Sequence, residues 1–539
     1  MIKTKQLLVV GLILLGIYVR CANLEEKVYT VDEVRGVARA SGYVESTLVD
    51  TFYTGDIITG NQLQQYQVPT AENSLGNALS ALAGNPEHPP LYYLLMRFCL
   101  QLFQVPVAAR WLAVGLGLLL LPAVYWLCQE LFGSAAVGWS AIALIAVSPF
   151  HVLIAQEARQ YTLWALLAVV SSAFLLRSLR QNSWQQWIAY GVTAALGMYS
   201  HLFFLWVLLT HGLYVLLVEH RITQRLLRYL VVSVGVGVAF VPWVWVVVTQ
   251  LSRLEKTTRW ASTYKTNLIS RAEYWLHNLG IVFVDFDWSV SFTNPFSYAV
   301  LVGVAYSTYQ LCRRTPKRVW LFVVLLMFIS TLAQVVPDTL NGGRRSLLPR
   351  YSVTAYLGIE LAVAYAITQV SNYSKPLRFS SHGHLRWDAW KNWRHWTEKR
   401  RGYQTAVSAL LLGGAVSSLL ITQSMGWGKG SSASILPAAP LINAVAQPIV
   451  LTDVDYTYVL SLSYKVSPDT RFVLLDEAHN PNYTAALQQL PLDRIFFVYG
   501  ASPSLLTFLQ TAKNVVVEEQ TSALEEAGLY QAQRTSLES

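Results

Sequence analysis

Eleven apolar stretches divide this 539-residue chain, and they constrain its fold more than any motif in it. The first is "LLVVGLILLGIYV" (7–19). The others run roughly over 107–129, 135–153, 161–176, 185–199, 202–218, 229–249, 296–312, 319–336, 351–370 and 404–423. A helix crossing a bilayer needs about 20 mostly apolar residues, and in lipid it must satisfy its own backbone. Several stretches are short of that, so their boundaries are loose. Charge is scarce to match: 13% of residues are charged, against about 25% in a soluble domain. The 18 Trp and 29 Tyr suit membrane interfaces, where an amphipathic ring sits half wet. The four cysteines are scattered, with neither a disulfide framework nor metal-ligand spacing. The expected fold class is therefore a polytopic α-helical membrane protein with about 11 transmembrane helices.

Basic residues orient those helices, because cytoplasmic loops are enriched in Lys and Arg. They cluster at Lys3 and Lys5, at Arg177 and Arg180, at Arg221, Arg225 and Arg228, at Arg313, Arg314, Lys317 and Arg318, and through 375–401. All five clusters share one side if the chain crosses eleven times, starting inside. The net charge of +9 is first of all this topology signal. The amino terminus resembles a signal peptide, but its apolar run ends in "YVRCANLEE" without a small-residue cleavage site. An uncleaved first helix is expected, with cleavage as the alternative. "HPPLYYLLMRFCLQLF" (88–103) would invert the later loops if it crossed, so it is expected as a helix on the outer surface. Residues 21–106 then form one long external loop, carrying juxtamembrane helices and the adjacent acids Asp32 and Glu33. The expected place is the plasma (inner) membrane, with the N-terminus cytoplasmic and residues 425–539 extracytoplasmic.

Outer loops should be poor in cations, and two are not. The loop 250–295 holds Arg253, Lys256, Arg259, Lys265 and Arg271, and "PDTLNGGRRSLLPRY" (337–351) holds Arg344, Arg345 and Arg350. Cations kept on the disfavoured side suit an anion such as a lipid phosphate, which guanidinium matches in geometry. Headgroup contact or plain solvation is the other reading. "IAQEARQYTL" (154–163) places Glu157, Arg159 and Tyr161 in another outer turn, as a local ion pair or as a polar layer facing Asp32. His201 lies in the outer turn of "MYSHLF", where a satisfied interface histidine is the plainer reading. No Gly-rich phosphate loop, zinc helix or nucleophile elbow appears. His382 and His384 lack neighbouring ligands, and no motif points to nucleic acid.

Taken in order, "VDEV", "HPPLYYLL", "SPFHVLIAQEARQYTL" and "YSHLFF" resemble the GT-C membrane glycosyltransferases. More narrowly, they resemble the family-39-like branch related to protein O-mannosyltransferases and the lipid A aminoarabinose transferase. The likeness covers about residues 1–220 and extends more weakly to "RYSVTAYLGIELAVAY" (350–365). It implies an inverting enzyme that takes a sugar from a polyprenyl phosphate and passes it to a hydroxyl of a lipid, glycan or protein. It implies Asp32 as general base or acceptor-orienting residue, with Glu33 beside it to orient it. It places His88 near the donor phosphate, Glu157 and Arg159 in the second polar motif, and Arg350 on the leaving phosphate. Some relatives hold a metal near the acids. Nothing in this sequence shows a metal site, so no cofactor is assigned and a divalent metal stays open. Protein O-mannosyltransferases carry a β-trefoil domain for which this chain has no room, which puts a protein acceptor in doubt.

Residues 425–447, rich in Gly, Ser, Ala and Pro, are expected as a linker between a membrane domain (1–424) and a small tail domain (448–539). Runs at 448–452, 471–476, 494–500 and 514–519 alternate with helix-forming segments, which predicts an α/β domain with a mostly parallel sheet. Asp453 and Asp476 fall at strand ends, where such sheets often bind ligands, but without a Gly-rich turn a purely structural role is the plainer reading. Two rivals stand beside the enzyme. A transporter or flippase for lipid-linked sugars would show matched broken spans in two halves, which this sequence lacks. A non-catalytic scaffold in envelope assembly would need no acid at position 32.

Overall fold

The computed structural model describes residues 2–372, 387–475, 495–511, 515–521 and 528–534. His382, His384 and Asp476 lie outside the described residues, as does 373–386 of the most basic loop. All eleven apolar stretches form helices, from Ile2–Cys21 to the apolar half of Trp387–Gln423. Five are long and apolar enough to cross a membrane: Ala108–Phe132, Tyr161–Gln181, Gln224–Thr249, Lys317–Asn341 and Gly402–Gln423. The pair Ala135–Ala146 and Pro149–Ala155 makes a sixth if counted as one span. Three of the expected spans are shorter apolar helices, over Gln6–Cys21, Phe204–Glu219 and Val353–Gln369. The chain is thus a polytopic helical membrane protein, with five or six helices among the described residues long and apolar enough to span.

Local chemistry explains where these helices break and face. The pair is bent by 64°. Pro149 cannot continue the first helix, having no N–H and a ring that clashes with the preceding turn, but it suits the first position of the next. Ser148 caps that new start, accepting from His151 N at 3.5 Å. Gln224–Thr249 exposes Val231, Val234, Val238, Val241 and Trp245. Steps of three and four put them on one stripe, an apolar face turned outward as a lipid-facing helix requires. Tyr161–Gln181 is the opposite case, with Tyr161 and Trp164 wholly buried inside the bundle.

Outside the bundle, the first loop and the tail build one body. A six-stranded sheet runs β1 (Ile57–Thr59), β3 (Arg471–Leu474), β2 (Ile449–Thr452), β4 (Ile495–Tyr499), β6 (Leu529–Arg534), β5 (Val515–Thr521). Val450, Phe472, Leu474, Phe497 and Tyr499 enter a core shared with Val28, Val34, Ala38, Leu48, Phe52 and Leu63 of the loop. Ile449, Leu451, Val473, Phe496 and Val498 pack on the other face with Leu505 and Leu509. Burial on both faces explains why these strands read as unbroken apolar runs rather than alternating ones.

The sheet is mixed, which corrects the expected mostly parallel one. β2 pairs parallel with β3 and β4, while β1–β3, β4–β6 and β5–β6 are antiparallel. The reason is that β1 comes from the first loop and β6 follows β5 closely, so neither edge is made by a helical crossover. Residues 425–447 are not an open tether either. They carry a 3-10 turn, Gly430–Ser434, and a helix, Ile435–Asn443, whose Ile435, Ala438, Ala439 and Ile442 are buried in the shared core. Leu91–Phe103 forms the helix expected at 88–103. Arg97 Nη1 ties it to Ala40 O at 3.0 Å, and it leaves Phe98, Leu102 and Phe103 exposed.

Candidate active site

The site is organised by the start of the helix Val31–Ser41. Thr30 Oγ1 accepts from Glu33 N at 3.2 Å, and Glu33 Oε2 accepts from Thr30 N at 2.9 Å. This reciprocal cap fixes the first turn and sets both carboxylates at the positive end of the helix dipole. Gly42 ends the helix at φ 102°, a left-handed conformation that favours glycine. A Cβ there would also lie 3.1 Å from that of Asn73.

Glu33 faces inward and is wholly buried. Arg110 forks onto it, with Nε 2.8 Å from Oε1 and Nη2 2.9 Å from Oε2. Ala158 N donates to Oε1 at 2.9 Å, and Lys429 Nζ lies 3.4 Å from Oε2. Burial pushes its acidity down, but Arg110 and Lys429 outweigh it and hold the carboxyl well below the usual carboxylate range. Arg110 also donates to the carbonyls of Lys27 at 3.0 Å and Val28 at 2.9 Å, and lies over the Tyr29 ring at 3.8 Å. Glu33 therefore has no face open to a substrate.

Asp32 faces the other way and keeps 30% of its side chain exposed. Its Oδ2 is 3.1 Å from Arg350 Nη1 and 3.7 Å from Arg159 Nη2. Arg159 Nη1 also donates to Asp32 O at 3.2 Å. Burial would raise its pKa, but Arg159 first and Arg350 next hold the carboxyl below its ordinary range, so it is ionised. Tyr161 and Tyr351 line the same space, their ring centroids 5.8 Å from Arg159 and 5.7 Å from Arg350. His201 stacks on Trp164 at 4.4 Å, and its Nδ1 accepts from Phe203 N at 3.0 Å. Burial, with Arg159 and Arg350 nearby, pushes it down to about 3, so it is neutral. His88 is half-buried, and its buried Nδ1 has no partner among the described residues. Burial and the charges of Arg159 and Arg39 hold it neutral too.

Glu157 lies one step away, 3.7 Å from Lys429 Nζ, and burial raises its pKa despite that cation. Asp32, Arg159, Tyr161, His201 and Arg350 thus converge. His88 faces Asp32, while Glu33 and Glu157 belong to the adjoining Lys429 network. Arg344 and Arg345 make no contact with Asp32 among the described residues. Arg344 lies over Trp260 at 4.6 Å instead. Sequence reasoning missed Arg110, Lys429 and Tyr351. The Thr30-x-x-Glu33 cap was a readable signal for Glu33, and a cation opening an apolar stretch was one for Arg110. Nothing local marks Lys429. Among the described residues no group of three or more His, Cys, Asp or Glu could hold a metal.

The class is defined by a helical membrane bundle in which an ionised acid of the first long loop meets two arginines brought from two later turns. The chain has the fold of the GT-C membrane glycosyltransferases, as its motif order implies. Residues 87–245 match the family described as dolichyl-phosphate-mannose-protein mannosyltransferase. Among solved structures, the chain is similar to ArnT from Cupriavidus metallidurans bound to undecaprenyl phosphate. The two share 15% identity and a TM-score of 0.53, over 98% of each chain. The apo state of that protein matches at 14% identity and TM-score 0.54, again over 98% of each chain. An oligosaccharyltransferase from Archaeoglobus fulgidus in its apo form matches at 10% identity and TM-score 0.44, over 91% of this chain and 69% of its own. No curated protein matches in sequence.

Proposed function

We propose that this chain is an inverting glycosyltransferase that moves a sugar from a polyprenyl phosphate to a hydroxyl acceptor at the outer face of the membrane. The observation that carries the reading is Asp32 itself, an ionised, part-exposed carboxylate with Arg159 and Arg350 beside it. Base and phosphate ligands are thus within reach of one bound donor, whose anomeric carbon must enter between them for an in-line displacement. The likeness to a protein solved with undecaprenyl phosphate supports the donor class. So does an apolar groove of about 520 Å³ between the helices Trp184–Ser200, Phe204–Glu219 and Gln224–Thr249. Met198 and Leu202 of its wall flank His201 in the chain, so a prenyl tail lying there keeps its phosphate at the site.

In this mechanism Asp32 takes the proton of the acceptor hydroxyl. The freed oxygen pair bonds the anomeric carbon as the bond to the phosphate oxygen breaks. That oxygen keeps the electron pair, and Arg350 and Arg159 hold the growing charge. Glu33 anchors the turn and orients Asp32. The proposed topology has eleven crossings, an internal N-terminus and an external sheet. Sugar and acceptor identity lie beyond this reading.

The test is Asp32→Asn in purified full-length protein, given a panel of polyprenyl-phosphate sugars, with release of polyprenyl phosphate as readout. Removing a general base should cut turnover by roughly 100- to 10,000-fold. Unchanged turnover removes Asp32 from the chemistry, and no turnover by the wild type on any donor rejects the reading.

A further inference from the structure

Asp32 and a donor phosphate want the same partners. Its Oδ2 sits 3.1 Å from Arg350 and 3.7 Å from Arg159, and Arg159 also grips its main-chain oxygen. Both guanidiniums are only part-used: the Nε of each is buried and has no partner among the described residues. An arginine cannot fork onto a phosphate while the same face holds a carboxylate. The pair is therefore an anion site whose present occupant is the protein's own side chain.

We propose that Asp32 is the resident anion of a two-arginine phosphate site, and that the donor phosphate makes it a competent base by drawing Arg159 and Arg350 away from it. This rests on the function proposed above and adds an order to it. A carboxylate clamped by two cations has little affinity for a proton and is a weak base. Phosphate arrival loosens both cations and brings a negative charge close, and each change raises that affinity. The other charged or titratable groups facing Asp32 do not compensate. Arg35, on the same helix, is engaged by Asp455 at 2.9 Å and Glu45 at 3.7 Å. His88, from the turn before Leu91–Phe103, is held neutral. The base is thus quenched until a donor is bound. After that, the acceptor's proton passes to Asp32, and the leaving phosphate keeps the electron pair of the broken bond against the two arginines.

An internal competitor lowers the affinity of the ligand it resembles, by the fraction of time it holds the site. Removing it must tighten binding. The experiment measures binding of farnesyl phosphate, a short polyprenyl phosphate, to full-length protein in detergent. The variants are Asp32→Asn, Arg350→Gln and the double variant, with a thermal melt to confirm folding. Asp32→Asn should bind about tenfold tighter than wild type, within the usual range for coupled sites. Most of that gain should vanish in the Arg350→Gln background, because the two residues act through one contact. If Asp32→Asn does not fold, Asp32→Ser carries the same expectation. Equal or weaker binding in the Asp32 variant, or a gain undiminished without Arg350, overturns the inference and leaves the glycosyltransferase reading intact. No binding of farnesyl phosphate by any form overturns both.

Discussion

Asp32 and Glu33 are neighbours in the chain and opposites in the fold, because consecutive helical residues do not share a face. One carboxylate is part-exposed and meets two arginines. The other meets Arg110, Lys429 and the backbone. Their substitutions should separate accordingly. Glu33→Gln leaves Arg110 buried without its counter-charge and Lys429 with Glu157 alone, and breaking a buried pair from one side costs about 3–5 kcal/mol. Asp32→Asn removes a part-exposed contact, where about 1 kcal/mol or less is at stake. Thermal melts in detergent should show a large drop for Glu33→Gln and little change for Asp32→Asn, while turnover falls in both. A Glu33→Gln protein as stable as wild type would show that the fork on Glu33 is not holding the loop.

At the scale of elements, the last span owes its position to two glycines. A Cβ on Gly414 would lie 2.8 Å from Val147 O and 2.9 Å from Phe283 O, and one on Gly413 would lie 2.8 Å from Val284 Cγ2. Small residues let the helix backbone approach the kink at Ser148–Pro149, and hydroxyls then bridge the contact. Ser418 Oγ donates to Val147 O at 3.0 Å, and Ser417 Oγ accepts from Asp285 N at 3.0 Å. Gly414→Val must push rigid backbone aside and should cost about 1–3 kcal/mol as overpacking does. Gly402→Ala, in the same helix with nothing within 4 Å, should be neutral or slightly stabilising. Equal melting temperatures for the two would refute the close approach. This contact also marks what a sequence can and cannot reveal. The helices were legible because apolar runs are local. So was the candidate status of Arg159 and Arg350, because cations in outer loops break a local rule. Arg344 breaks the same rule yet lies on Trp260, since the rule says nothing of what a side chain meets. The mixed sheet was hidden because its edge strand β1 lies about 400 residues before its partner β3. Lys429, 396 residues from Glu33, was hidden for the same reason.

For the whole molecule, the consequence is that the tail is part of the site and not an appendage to it. Val28 N donates to Met425 O at 3.0 Å, and Lys429 Nζ lies 3.4 Å from Glu33 Oε2. Tyr53 Oη reaches Val454 O at 2.6 Å, and Arg35 pairs with Asp455 at 2.9 Å. The loop that carries Asp32 buries Val34, Leu48 and Phe52 in one cluster with tail residues such as Tyr456 and Phe472. Ending the chain after residue 424 would therefore strip one side from that core, expose its apolar residues to water and remove Lys429 from between Glu33 and Glu157. The membrane helices have their own core and should still insert. The expected result is a membrane-inserted protein without turnover, whose segment 28–66 is cut rapidly by added protease while the full chain resists. Asp455→Asn, which loses the part-exposed ion pair with Arg35 but keeps an oxygen to accept from Thr457 N, should keep both turnover and protease resistance, since such pairs contribute about 1 kcal/mol at most. A truncated protein that still releases polyprenyl phosphate at the wild-type rate would mean that the loop folds and works alone, and that the shared sheet serves some other end.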